Sequence, residues 1–353
     1  MGLDHAQSGS FFLFISAGYF ISILSSGFVS SRINHKRTIV LSCFTLGVAL
    51  VILSRCLTLW SLQLGLFGLG LGAGLYFPSG LATIAGLVAP AYLSRGMAIH
   101  ELAPNLGFVA APLICDFFFS FLPWRQGIAL LGVLMVCSGI LYGLSSHGSQ
   151  GKGTAPDLSS SGAIFRMPAF WGMFALFSLA ICSTLGIYAM APLFLVNDHG
   201  MDLGKANSLL AFSRVASVLM PLAGGWFGDK FGNQLIMGVV LLLTGILTIT
   251  MATVSGGITL IVFVVVQPLF AVCFFPSGFA VLSRLGVKKY GNLAISLCLP
   301  LAFLVGGGLL PTLIGWIGDS FSISSGFVLM GIFMTIAGVG ALSVSMIKKQ
   351  YFG

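Results

Sequence analysis

Four side chains carry a charge or a titratable proton inside long apolar stretches: His100, Glu101, Asp116 and Arg214. An ionisable group in such surroundings is costly to keep and is a functional candidate for that reason. On a helix, Glu101, Asn105, Pro112 and Asp116 fall within about 60° of arc, so one face carries them all. Counted at helical rise from the stretch's start near Arg95, Glu101 lies about 9 Å along and Asn105 about 15 Å, with Asp116 close to the far end. A carboxyl group at the position of Glu101 can take up and release protons, and the imidazole of His100 can do the same. The competing reading is that both bond to loops at the membrane edge, and that Asp116 is a structural or gate residue. Arg214 lies about 13 Å along its own stretch from Lys205, with Asn207, Ser217, Pro221 and Gly225 on the same face. Its guanidinium does not lose its proton. It therefore requires an acidic residue, backbone carbonyls or an anionic ligand as partner. Tyr188, Gln267 and Asn292 are further candidates for lining a cavity, and each also suits an ordinary hydrogen bond between helices.

The elements that must position these residues follow from composition. Of 353 residues, 57% are hydrophobic and 7% are charged. A soluble domain carries roughly 25% charged residues. So few charges cannot cover the surface of a water-soluble enzyme, and 31 Phe exclude a disordered chain. Only eight acidic residues are present. No His/Cys ligand spacing and no nucleophile elbow occurs, so no metal, cofactor or catalytic constellation is expected. The net charge of +8 does not indicate nucleic acid, because the basic residues sit mostly in short gaps between apolar runs. The seven cysteines form no disulfide framework by their placement.

The expected fold class is an all-α membrane protein. A bilayer core needs about 20 apolar residues per helix. Eleven segments qualify, at roughly 11–30, 38–54, 60–88, 97–121, 126–145, 169–196, 204–226, 235–253, 257–282, 292–316 and 324–346. The runs are too long and too continuous for the alternating strands of a barrel. Sorting Lys and Arg onto alternate sides puts twelve in one set of loops and three in the other, with Arg214 inside a span. That asymmetry makes the richer side cytoplasmic, with the C-terminus inside. The one long gap carries Gly148-Ser149-Gln150-Gly151 and Ser159-Ser160-Ser161-Gly162, a flexible polar linker. It divides the chain into a five-helix bundle at 1–147, a cytoplasmic linker at 148–168 and a six-helix bundle at 169–353.

The two parts repeat each other. Phe77-Pro78-Ser79-Gly80 recurs as Phe275-Pro276-Ser277-Gly278, displaced by 198. Gly27 through Arg32 recurs as Gly225 through Lys230 at the same displacement, while Gly107 and Pro112 have counterparts Gly306 and Pro311 at 199. Matches in order at nearly one offset indicate duplication. At that offset the helix at 169–196 maps to positions before Met1. The expectation is a twelve-helix protein lacking its first helix, through a late start site or a truncated gene. Gly65, Gly68, Gly70, Gly72 and Gly74, and the patch Gly306-Gly307-Gly308, are expected to serve close helix packing.

Two six-helix repeats joined by a cytoplasmic linker resemble the major facilitator superfamily of secondary transporters, over essentially the whole chain. The family pattern Gly-x-x-x-Asp-Arg/Lys-x-Gly-x-Arg/Lys is matched closely by Gly225, Asp229, Lys230 and Gly232. In the first half only Gly27, Arg32 and the basic Lys36-Arg37 match; Ser31 stands where the acid belongs and Asn34 where the second glycine belongs. The resemblance implies that this motif gates alternating access. It also implies that Arg214 lies on the counterpart of the family's eighth helix, where members handling organic anions often place an arginine, which makes it a candidate anchor for a substrate carboxylate. The alternative is a structural ion pair with Glu101. Gly107 through Pro112 partly resembles a drug/proton antiporter signature, with Ala111 in place of its second glycine. The implied function is secondary active transport of a small, anionic organic solute, bound by Arg214, Asn105, Tyr188, Gln267 and Asn292 and coupled to protons through Glu101 and His100. The implied setting is the inner membrane, as a monomer. Efflux of apolar compounds and a transport-dead scaffold or sensor are the alternatives.

Overall fold

A computed structural model describes residues 5–87, 93–146, 151–152, 162, 164–282 and 291–352. Among the described residues every regular element is helical. Ten helical stretches are long and apolar enough to cross a membrane. The eleventh expected span, 97–121, falls on a helix whose described apolar stretch is shorter, Leu106–Phe118. The helices, numbered here in chain order, are α1 (His5–Ile33), α2 (His35–Leu53), α3 (Leu59–Leu87), α4 (Leu93–Phe121) and α5 (Trp124–Ser145). Then come α6 (Pro168–Asp198), α7 (Leu203–Ser217 continued by Met220–Phe231) and α8 (Asn233–Thr253). The last three are α9 (Gly257–Leu282), α10 (residues 291–320) and α11 (Ile323–Phe352).

Contacts group the chain into two compact units. One comprises Ser10–Pro104 and Ile114–Leu158; the other comprises Ser159–Gly353 together with Met1–Gly9 and Asn105–Leu113. In the first unit the glycines of α3 do what small residues in a membrane helix allow, which is to let backbones touch. A side chain on Gly70 would strike the carbonyl of Ile15, and one on Gly74 that of Tyr19. Gly65 and Gly72 turn instead to Leu53 and Leu46 of α2. Serines complete these seams: Ser22 donates to the Leu71 carbonyl, Ser26 to that of Leu75 and Ser42 to that of Gly72.

The duplication is visible inside each unit. A side chain on Gly47 of α2 would meet the Gly132 carbonyl of α5, and one on Gly132 the Gly47 carbonyl. The same reciprocal pair is formed by Gly245 of α8 and Gly331 of α11, displaced by 198 and 199. The turn before α2 and the turn before α8 also share a backbone. Asn34 has φ 74° and Gly232 has φ 101°, at positions displaced by 198. The replacement of glycine by asparagine in the first half therefore keeps a positive φ, although with ψ 166° the Asn34 backbone lies in a region that suits glycine better. Asn34 adds a cap, its side chain accepting from the Arg37 amide at 2.9 Å.

Helix irregularities concentrate in the second unit. α6 contains π-helical segments at Cys182–Gly186 and Phe194–Asp198, and α10 contains one at Val305–Leu309. The α10 segment is the Gly306-Gly307-Gly308 patch, all three buried. A side chain on Gly306 would strike the Ser178 carbonyl, and one on Gly186 would crowd the Gly306 carbonyl, so the wide turns of α6 and α10 pack backbone to backbone. α7 breaks at Val218–Leu219, just before Pro221, whose ring cannot supply the amide that a continuous helix needs.

Candidate functional site: a buried arginine on a widened helix turn

Arg214 lies within one turn of the α7 break and is 2% exposed. Its Nη2 donates to the carbonyl oxygen of Thr184 at 2.5 Å. The guanidinium carbon stands 4.1 Å from the Tyr188 ring centroid and 4.7 Å from that of Phe108, so two aromatic rings flank the cation from adjacent sides. Phe108 belongs to the Asn105–Leu113 stretch of the same compact unit. Tyr188 is locked in place by its hydroxyl, which donates to the Phe108 carbonyl at 2.6 Å, and by an edge-to-face contact with the Phe108 ring at 5.5 Å. Nε of Arg214 is buried with no hydrogen-bond partner. Among the described residues no carboxylate pairs with it.

The Thr184 carbonyl lies in a π-helical turn. At Cys182–Gly186 the amide of Ile187 bonds to the Cys182 carbonyl, five residues back, so the turn holds one extra residue. The Ser183 carbonyl is taken by Gln267 of α9, whose Nε2 lies 3.1 Å away and also reaches Thr248 Oγ1 of α8 at 3.3 Å. Arg214 and Gln267, from different helices, thus occupy neighbouring carbonyls of one widened turn. Asn207, on the same face of α7 as Arg214, is buried as well.

The remaining candidates fall out unevenly. Tyr188 and Gln267 join Arg214 around the α6 turn: Tyr188 lies against the cation, while Gln267, 3% exposed, bonds to Ser183 and Thr248. The side chains of His100, Glu101, Asn105, Asp229 and Asn292 lie outside the described residues. Asp116 is exposed. Of the motif residues, Gly225 packs against Pro276 and Gly232 makes the positive-φ turn. Lys230 lies over the rings of Trp226 and Phe231 at 4.8 and 5.3 Å, Gly27 is half-buried and Arg32 is exposed. Among the described residues no group of three or more His, Cys, Asp or Glu could hold a metal ion. Sequence reasoning missed Phe108, Thr184 and Thr248. The Thr184–Tyr188 spacing of four was the available signal for contacts from one face of α6, but a main-chain carbonyl used as an acceptor leaves no residue-type mark.

Residues 1–255 match the family model described as Major Facilitator Superfamily. The chain belongs to this superfamily. It is similar to an uncharacterized MFS-type transporter, YcaD, of Escherichia coli O45:K1, at 24% identity over 246 residues, covering 64% of this chain and 59% of that protein. It is also similar to the membrane sensor protein UhpC of Salmonella typhimurium, at 22% over 295 residues, covering 74% of this chain and 64% of that one. The chain thus spans about three fifths of the length of the relatives it matches. In fold it is similar to a bacterial homolog of the human lysosomal transporter Spinster in an inward-facing, occupied conformation, with TM-score 0.81 at 16% identity, covering 98% of this chain and 90% of the other. A peptide transporter, POT, in complex with sulfate gives TM-score 0.79 at 14% identity, covering 98% and 87%. At such identities the likeness shows the fold alone. The protein is a multi-pass membrane protein of the family's all-helical fold.

Proposed function

We propose that this protein is a secondary active transporter of a small organic anion, that Arg214 binds the anion, and that transport proceeds by alternating access of two half-bundles. The single observation that carries the reading is a buried cation with one closed-off donor and no carboxylate partner among the described residues. A charge in that state is expensive. A ligand carboxylate supplies the missing acceptor and the missing charge together. Tyr188 is proposed to flank the bound anion, since its ring lies against the guanidinium. Asn105 and Asn292 are proposed to contribute polar contacts, and Glu101 with His100 to exchange the coupling proton. The excess of basic residues in one set of loops supports a C-terminus on the cytoplasmic side of the inner membrane.

The test is uptake into vesicles by the purified, reconstituted chain, using acetate, benzoate and citrate against their neutral amides. A carboxylate is expected to be taken up, and Arg214→Ala to reduce its uptake about 10- to 100-fold, the scale of a lost hydrogen bond to a charged group. Carboxylate uptake unchanged by Arg214→Ala overturns the anchor role. Glu101→Gln is expected to abolish stimulation by a pH gradient; unchanged stimulation removes Glu101 from the proton path. A second reading, a membrane sensor without transport, draws on the similarity to UhpC over 295 residues. It is favoured if carboxylates shift the unfolding temperature of the protein while no uptake occurs.

A further inference from the structure

Gln267 is a second buried polar group beside the arginine, and its bonding is unusual for a residue that would simply line a cavity. Both hydrogen bonds of its amide nitrogen go to protein, to the Ser183 carbonyl and to Thr248 Oγ1. Thr248 is itself fixed, since its hydroxyl donates to the Thr244 carbonyl at 2.8 Å. The hydroxyls of Ser183 and Thr184 turn back along α6, to the carbonyls of Ala180 and Ile181. Their own carbonyls, adjacent on the chain, receive one donor from α9 and one from α7. The widened turn is thus pinned at Ser183 from one side and grips Arg214 at Thr184 from the other. The Ser183 and Thr184 carbonyls lie in successive peptide planes joined only by the backbone torsions of Thr184, so a donor on the first restricts, through the one turn, the freedom of the second.

We propose that Gln267 is a positioning residue for Arg214, acting through the Ser183–Thr184 backbone rather than by touching the ligand. With the turn pinned, the Thr184 carbonyl holds Nη2, and Nε is left as the donor for an incoming anion. Without the pin the Ser183 carbonyl loses its donor from α9 and the turn is held less firmly. The guanidinium then loses its orientation and its affinity for an anion falls. This inference rests on the reading of Arg214 as the anion anchor, yet the coupling of the two side chains through the turn is measurable without any ligand.

The experiment is a double-mutant cycle on the full chain in detergent, with Gln267→Met and Arg214→Met alone and together. Amide hydrogen exchange over residues 182–187 and benzoate binding are the readouts. Each single substitution is expected to speed exchange in the turn about tenfold, the scale of one hydrogen bond, and the double to speed it little further. Multiplied effects, near a hundredfold in the double, mean that the two side chains act independently and overturn the proposal. For benzoate, Gln267→Met is expected to raise Kd about tenfold while benzamide binding is unmoved. A Kd unchanged by Gln267→Met but raised by Arg214→Met overturns the positioning role and leaves the anchor standing. Benzoate indifferent to both substitutions counts against the anchor, while the exchange cycle still decides the coupling. If Gln267→Met fails to fold, Thr248→Val removes the other partner of the amide. It is expected to speed exchange about threefold, and no change in that variant is equally decisive against the proposal.

Discussion

Replacing Arg214 by methionine separates a residue kept for function from one kept for stability. The perturbation fills nearly the same volume and removes the charge. Two losses follow. The Thr184 carbonyl forfeits its donor, at about 1–3 kcal/mol for a buried group left unsatisfied. The two ring contacts forfeit a cation, about 1–2 kcal/mol each, of which sulfur–aromatic contact restores about 0.3–1.5. Two gains oppose them. The unpartnered Nε no longer has to be buried, worth about 1–3 kcal/mol. A guanidinium is no longer held at membrane depth, worth about 2.5–3.5 kcal/mol on the insertion scale. The sums nearly cancel, so Arg214→Met is expected to unfold within about 2 kcal/mol of wild type. It should also lose any stabilisation by carboxylates. The assay is thermal unfolding in detergent by intrinsic tryptophan fluorescence, with and without benzoate. Destabilisation beyond about 4 kcal/mol refutes the reasoning, because it makes the arginine a net structural asset in its resting contacts.

Two further outcomes test the packing and the turns. Gly70→Leu forces a side chain into the Ile15 backbone and is expected to lower the unfolding midpoint by about 3 kcal/mol equivalent or prevent folding, whereas Gly107→Leu, where a side chain meets nothing within 4 Å, is tolerated; equal yields of the two variants in a fluorescence size-exclusion assay contradict this. Asn34→Gly is expected to stay within about 0.5 kcal/mol of wild type, since the positive φ suits glycine and only the cap to Arg37 is lost, while Asn34→Val costs about 1–2 kcal/mol or more; denaturant unfolding that ranks them the other way disproves the strained-turn account.

Much of the fold was legible because membrane burial writes itself into composition. Long apolar runs and sparse charge fix helices, and the offset of 198 ties the halves together. The same offset held the Gly47–Gly132 and Gly245–Gly331 pairs, which stand as single glycines in apolar helices and gain meaning only when two backbones are seen to touch. Arg214 was legible as a buried cation needing partners, and backbone carbonyls were among those considered. Which carbonyl accepts from it was not legible. A π-helical turn depends on where one extra residue is accommodated, and Cys182-Ser183-Thr184-Leu185-Gly186 has no composition that announces it. By residue type Gln267 suits either the wall of a cavity or a hydrogen bond between helices; that its bonds run to α6 and α8 comes from tertiary packing alone.

The wide turn of α6 also has an architectural consequence. It holds one residue of slack in a span whose ends are fixed by their neighbours. Shortening α8 by a single residue would rotate every later side chain by about 100° and turn its buried stripe towards lipid. Shortening α6 between Cys182 and Gly186 would instead be absorbed by closing the loop of hydrogen bonds from five residues to four, leaving both flanking faces in phase. The helix that grips the arginine therefore also holds a place where this chain can lose a residue without re-registering the bundle.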